Sequence, residues 1–154
     1  MKRFLLKIWR ILPFWMQGIA AAIIRPRFQV AVGGMILNEI GQILLCEHSY
    51  RRRFPWGLPG GDLKFREDPV DGIKREILEE TGLMVKDVRL LLVENSTEIH
   101  HINLTYLCSC TPGSFVPNDE VSSIRYFEPN ALPDFFKEQR VTIDKCLAIL
   151  NLGK

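Results

Sequence analysis

The stretch GDLKFREDPVDGIKREILEETGL, residues 61–83, decides how the rest of this chain is read. Asp68-Pro69 is a strong helix start: an aspartate side chain accepts from the free amides of a first turn, and a proline at the first helical position gives up no hydrogen bond. Gly82 is the matching stop, because the residue just past a helix commonly turns left-handed. Between them Val70, Ile73 and Ile77 recur at helical spacing and make an apolar stripe, while Glu76, Glu79 and Glu80 lie together on another face. One face is expected to pack and the other to be acidic.

Three carboxylates at i, i+3 and i+4 repel one another by roughly a few tenths of a kcal/mol per pair. A hard divalent cation offsets such repulsion, because carboxylate oxygens converge on Mg²⁺ or Mn²⁺ and leave positions for water and phosphate. Taken alone, an acidic pair on a helix is more often a solvated face. The surroundings reverse that balance. From Gly61 the chain gives Gly61, Glu67, Arg75, Glu76, Ile77, Glu79, Glu80, Gly82 and Leu83, which is G-x5-E-x7-R-E-U-x-E-E-x-G-U with U an aliphatic residue. Nine specified positions at fixed spacing are not a chance pattern, and they resemble the box of the Nudix hydrolases. Trp56-Gly57-Leu58-Pro59-Gly60 is similar to the usual lead-in.

The resemblance implies an α/β class fold, an α/β/α sandwich with a mixed sheet, extending from about Arg27 to the C-terminus. It also implies a phosphoanhydride hydrolase acting on a nucleoside diphosphate linked to another group, with Mg²⁺ or Mn²⁺ as cofactor. Glu76, Glu79 and Glu80 match the metal-holding residues, with the Gly60-Gly61 turn approaching the metal where a side chain would obstruct it. Arg75 matches the arginine that orients the box carboxylates, a task suited to its fixed fork of donors. Glu67 matches the loop-to-helix anchor often paired with that arginine, and Gly82 closes the box. For the base that activates water, Glu120, in Asn118-Asp119-Glu120-Val121, and Glu79 are rival candidates. Two positions depart from the commonest pattern: Arg66 stands where glycine is usual, and Gly72 where alanine is frequent. Gly72 costs up to about 1 kcal/mol of helix propensity and is expected to mark close packing.

Working outward, Phe28 to Leu37 and Gln42 to Glu47 read as strands around a turn at Asn38 to Gly41, a hairpin by local pattern. His48 to Asp68 reads as a long ordered loop, rich in glycine and proline and therefore a place to look for function. Within it Arg51-Arg52-Arg53 are candidates to grip substrate phosphates, and Trp56, held in a turn, is expected to pack. Further strands are expected over Val88 to Glu94, Ile102 to Cys110 and Ser122 to Phe127, with a closing helix over Val141 to Leu150.

The 154 residues, 47% hydrophobic and 25% charged, suffice for one domain with a proper core and not for two full ones. A net charge of +2 announces no nucleic-acid partner. Cys46, Cys108, Cys110 and Cys146 lack zinc-site spacing and read as free thiols of a reducing cytosol. His100 and His101 would point to opposite faces of a strand and read as structural.

Residues 1–25 form a separate element, apolar, aromatic and basic, ahead of a catalytic domain over residues 26–154. A helix over residues 2 to 12 sets Lys2, Arg3, Lys7 and Arg10 opposite Phe4, Leu5, Ile8, Trp9, Ile11 and Leu12. The apolar run from Ile11 to Ile24 is shorter than the ~20 residues a bilayer requires, and Pro13, Gln17 and Gly18 interrupt it. A signal peptide is imitated by Ala20-Ala21-Ala22, but Trp9, Pro13 and Trp15 count against it. Two readings stay open: residues 1–24 lie on the inner face of a membrane, making the enzyme a peripheral cytoplasmic protein, or they cap the domain or a homodimer partner. The competing functions are a catalytically silent nucleotide sensor and a membrane-associated binding module; the intact acidic set favours a hydrolase.

Overall fold

The computed structural model describes residues 9–24, 28–96 and 100–152. In chain order the elements are α1 (Phe14–Ile24), β1 (Gln29–Ile36), β2 (Ile43–His48), β3 (Trp56–Gly57), β4 (Gly60–Asp62), α2 (Pro69–Thr81), β5 (Met84–Ser96), β6 (His101–Thr111), β7 (Val121–Phe127) and α3 (Lys137–Leu152). A four-stranded sheet runs β4-β1-β6-β5 and a three-stranded sheet runs β3-β2-β7. The larger is mixed, since β1 lies parallel to β6 and antiparallel to β4, while β5 and β6 are antiparallel.

Alternation along the strands places helices on both faces. Val32 and Ile36 of β1 and Tyr106 and Cys108 of β6 join Ile73 and Ile77 of α2 in one core cluster. Met35 and Leu107 turn the other way, toward Ile143 and Cys146 of α3. The layers are therefore helix, sheets, helix. Ile73 and Ile77 are fully buried, each contributing about 1.5–3 kcal/mol of hydrophobic stabilisation.

The expected hairpin is corrected. β1 and β2 belong to different sheets, joined only by a bridge between Leu37 and Ile43. The turn itself forms: Asn38 Oδ1 accepts from Gln42 N at 2.9 Å and Ile40 N at 3.2 Å, and Gly41 sits at φ 85°. Both edges of β1 are already taken, by β6 and β4, so β2 pairs with β7 and β3 instead. The long loop is corrected too. β3 joins the small sheet against Glu47 and Cys46, and β4 joins the large one against Gly33 to Ala31. Leu58-Pro59 crosses between the sheets, with Gly34 N donating to Pro59 O at 2.8 Å.

α2 has the expected ends. Asp68 Oδ1 accepts from Val70 N at 2.8 Å, and Gly82, at φ 71°, donates to Leu78 O. α3 begins earlier than the apolar pattern suggests because its first turn, Lys137 to Arg140, is polar. Gly72 does mark close packing: a Cβ there would overlap Leu63 Cδ2. Gly72→Ala is therefore expected to destabilise, although alanine is worth up to about 1 kcal/mol more in an isolated helix. Melting curves of Gly72→Ala alone and with Leu63→Ala should show the second change recovering part of the loss.

Trp9–Ile11 are helical, the chain breaks at Leu12-Pro13, and α1 follows. Most of the helix expected over residues 2 to 12 lies outside the described residues. No helix among the described residues is long and apolar enough to cross a membrane. All four cysteines are free thiols.

Candidate active site

α2 carries its acids beside β4, and Arg75 organises them. Its Nε donates to Glu67 Oε1 at 2.7 Å and its Nη2 to Glu67 Oε2 at 2.9 Å, a two-pronged pairing; Nη1 donates to Glu76 Oε1 at 2.6 Å and to Glu79 Oε2 at 3.1 Å. Glu67 also accepts from Lys64 N at 2.8 Å, and these contacts hold its carboxyl down to about 2. Because that value lies below the ordinary one, the pair contributes fully above pH 4.5 and fades as pH falls through about 2. Glu67→Gln is expected to melt earlier than the wild type at neutral pH, with the gap closing in acid melts; a constant gap would mean that the pairing is not what stabilises.

The helix does not divide into one packed and one acidic face, as its sequence suggests. Glu76 and Glu80, one turn apart, are buried, whereas Glu79 is half exposed and reaches Lys64 at 3.8 Å. β4 covers the first two: a Cβ on Gly61 would stand 2.7 Å from Glu76 Oε1, and Gly60 N donates to Glu80 Oε2 at 2.7 Å. Gly60 itself adopts φ 148°, and a Cβ there would collide with the Val32 carbonyl. Among the described residues, no group of three His, Cys, Asp or Glu side chains is gathered as a ready-made metal shell. The distribution of Arg75 explains this, since it draws Glu76 and Glu79 toward itself and leaves Glu80 alone. Burial pushes the Glu80 carboxyl up to about 7, the charges of Glu76 and Glu120 add to the shift, and the Gly60 amide opposes it.

Glu120 lies in the exposed loop before β7, near enough for its charge to act on Glu80. Asn118 ties this loop to α2: its Oδ1 accepts from Glu120 N and Val121 N, while its Nδ2 donates to Glu79 O at 3.0 Å. Sequence reading passed over Asn118, whose Asx-turn spacing was the available signal. It also passed over His48, at the end of β2. That side chain is fully buried with neither ring nitrogen hydrogen-bonded, and its Nδ1 lies 3.6 Å from Glu80 Oε1. Burial and the Arg51 charge lower the imidazole to about 4, so it is neutral at pH 7.

A cleft of about 470 Å³ opens on the α3 side of the large sheet, lined among others by Gly60, Gly61, Asn103, Tyr50, Arg51 and Gln139, whereas Glu76, Glu79, Glu80 and Glu120 are not part of its lining. The arginine run is split: Arg51 lines the cleft, while Arg52 and Arg53 are exposed outside it. Arg53 lies over the Phe54 ring instead, at 5.3 Å. Trp56 packs edge-on against Phe127, with ring centroids 4.9 Å apart.

Residues 27–146 match the NUDIX domain family model. The chain belongs to the NUDIX family. It is 28% identical to a MutT-like protein of Streptomyces ambofaciens over 73% of this chain and 72% of that one. It is also 28% identical to an ADP-ribose pyrophosphatase of Methanocaldococcus jannaschii, over 75% of this chain and 71% of that one. The structure superposes on a MutT NUDIX hydrolase from Burkholderia pseudomallei with a TM-score of 0.68 at 25% identity, covering 78% of this chain and 98% of the other. This NUDIX chain is accordingly an enzyme of the pyrophosphohydrolase class.

Proposed function

We propose that this NUDIX enzyme is a divalent-metal-dependent hydrolase that cleaves the phosphoanhydride of a nucleoside diphosphate linked to another group, using Mg²⁺ or Mn²⁺. One observation supports this most: Glu80 is a buried carboxyl with no direct arginine partner, raised by burial and by the charges of Glu76 and Glu120 more than the Gly60 amide and the Arg51 charge lower it, and it is held by Gly60, which lines the cleft. A hard cation relieves a buried carboxyl held above its ordinary value, and Glu76, Glu79, Glu80 and the Gly60 carbonyl would supply it with an all-oxygen donor set. When bound, such an ion neutralises phosphate charge and lowers the pKa of water.

The chain's own residues supply the remaining work. Arg75 keeps Glu76 and Glu79 oriented, and the Gly60 amide holds one Glu80 oxygen while the other lies 3.6 Å from His48 Nδ1. Arg51, at the cleft, binds a substrate phosphate as a fixed, always-charged donor. Arg52 and Arg53 do not line the cleft and are secondary candidates for the same duty. Glu120 receives the proton of the attacking water at its exposed carboxylate, and Glu79, pinned by Arg75 and Lys64, is the rival base.

The purified protein should be incubated, with Mg²⁺ and separately with Mn²⁺, against nucleoside triphosphates, nucleotide sugars, ADP-ribose, dinucleoside polyphosphates and CDP-alcohols. Turnover of a nucleoside-diphosphate-linked group that stops on chelation is the expected result. Silence across the panel, with metal binding demonstrated, would indicate a nucleotide sensor instead. Glu120→Gln is expected to slow the chemical step roughly a hundredfold or more with metal affinity unchanged. Weakened metal affinity would make Glu120 a ligand.

A further inference from the structure

The NUDIX domain leaves the N-terminal helical segment unexplained. Ile11, Phe14 and Trp15 are 83%, 90% and 65% exposed, and they fall within one short run of sequence around the Pro13 break. Large apolar side chains in such a run are costly in water unless something covers them. Gln17, the one amide side chain of α1, is spent internally: its Nε2 donates to Trp9 O at 3.1 Å and Leu12 O at 2.9 Å. These are carbonyls left over where proline lacks an N–H and interrupts the helix. The bend is thereby stapled, and the exposed side chains described on α1, Phe14, Trp15 and Met16, are apolar apart from the Trp15 indole N–H.

Charge identifies what covers this surface. Residues 1–27 contain six Lys or Arg and no acid, the first acid being Glu39, whereas the chain as a whole is only +2. Residues 28–154 therefore carry a net charge of −4. We propose that the N-terminal segment docks the enzyme on an anionic lipid bilayer, with Phe14 and Trp15 entering the boundary between headgroups and acyl chains. A helix of this length cannot cross, so it lies in the surface plane. Arg10, beside the exposed Ile11, adds to the attraction for anionic headgroups. Association through the same face of a second copy would bring two identical sets of six cations together, which repel. The negative domain is at the same time pushed away from anionic lipid, which orients the docked molecule with the domain outward. The inference is independent of whether the site turns over a substrate.

The test uses the full chain and sedimentation with vesicles of phosphatidylcholine alone or mixed with phosphatidylglycerol, at low and at high salt. Pelleting should be at least ~10-fold greater with the anionic vesicles and should fall as salt rises. F14E/W15E should lose at least ~10-fold of that binding while melting at the wild-type temperature, because both side chains are exposed. Equal pelleting of F14E/W15E and wild type would overturn the proposal, as would equal binding to both vesicle types. So would light scattering that shows a dimer abolished by F14E/W15E together with no vesicle binding, which would assign the face to a second copy.

Discussion

Glu80→Gln is expected to reduce kcat by roughly two orders of magnitude or more while leaving the fold intact, because the site loses charge but not shape. Glutamine can still accept from the Gly60 amide, which holds Glu80 Oε2 at 2.7 Å, so the β4 contact survives. Stability should move the other way. The folded carboxyl titrates near 7 rather than 4.5, so the native state binds this proton more tightly than the unfolded chain does. Its contribution is favourable below the unfolded value and is lost as pH rises through the folded one. In chelator, Glu80→Gln should match the wild type near pH 4.5 and melt later above pH 7; added Mg²⁺ should restore the wild type and leave the variant unmoved. Turnover near that of the wild type would remove Glu80 from the proposed metal set. Glu79→Gln should also lower turnover by orders of magnitude, but without the stability gain, since Glu79 is half exposed and already paired with Arg75.

Gly60→Ala carries the second large effect. The new Cβ would meet the Val32 carbonyl oxygen and lie 2.9 Å from Gly33 Cα, and it would do so at φ 148°, where only glycine is unstrained. Backbone cannot move aside as a flexible side chain can, so β4 must shift off β1. The expected cost is about 3 kcal/mol or more, a fall in melting temperature of roughly 10 °C. Because Gly60 N also holds Glu80, metal-dependent turnover should drop with it. Gly33→Ala, one strand away and with nothing within 4 Å of its Cβ, is the matched control and should melt as the wild type does. An equal loss in both variants would mean that alanine, not the close approach, is responsible.

How much of this was legible beforehand depends on the range of the interactions. α2 was readable end to end, because its cap at Asp68, its stop at Gly82 and its Ile73 and Ile77 stripe are all set within a few residues. The family was readable for the same reason, its signature being fixed spacing inside one loop and helix. The β1 and β2 pairing was misjudged because a local turn does not reveal that β6, some seventy residues later, takes the edge that a hairpin would use. β3 and β4 escaped notice because glycine-rich and proline-rich segments pair through backbone and show no alternation of side chains.

At the site, the residue types of Glu67, Arg75, Glu76, Glu79 and Glu80 came from the sequence by itself, as did the repulsion that calls for a counter-charge. Which of those acids is buried did not, because helical period puts all three on one arc and only the approach of Gly60 and Gly61 covers Glu76 and Glu80 while leaving Glu79 in water. The same holds for Arg51, chosen over Arg52 and Arg53 by the cleft wall, and for His48, brought to Glu80 from the end of another strand. Chemical identity and short-range helix signals are local and survive in one dimension, whereas burial and partner choice are decided by whichever distant backbone arrives, and that is a property of the packed chain alone.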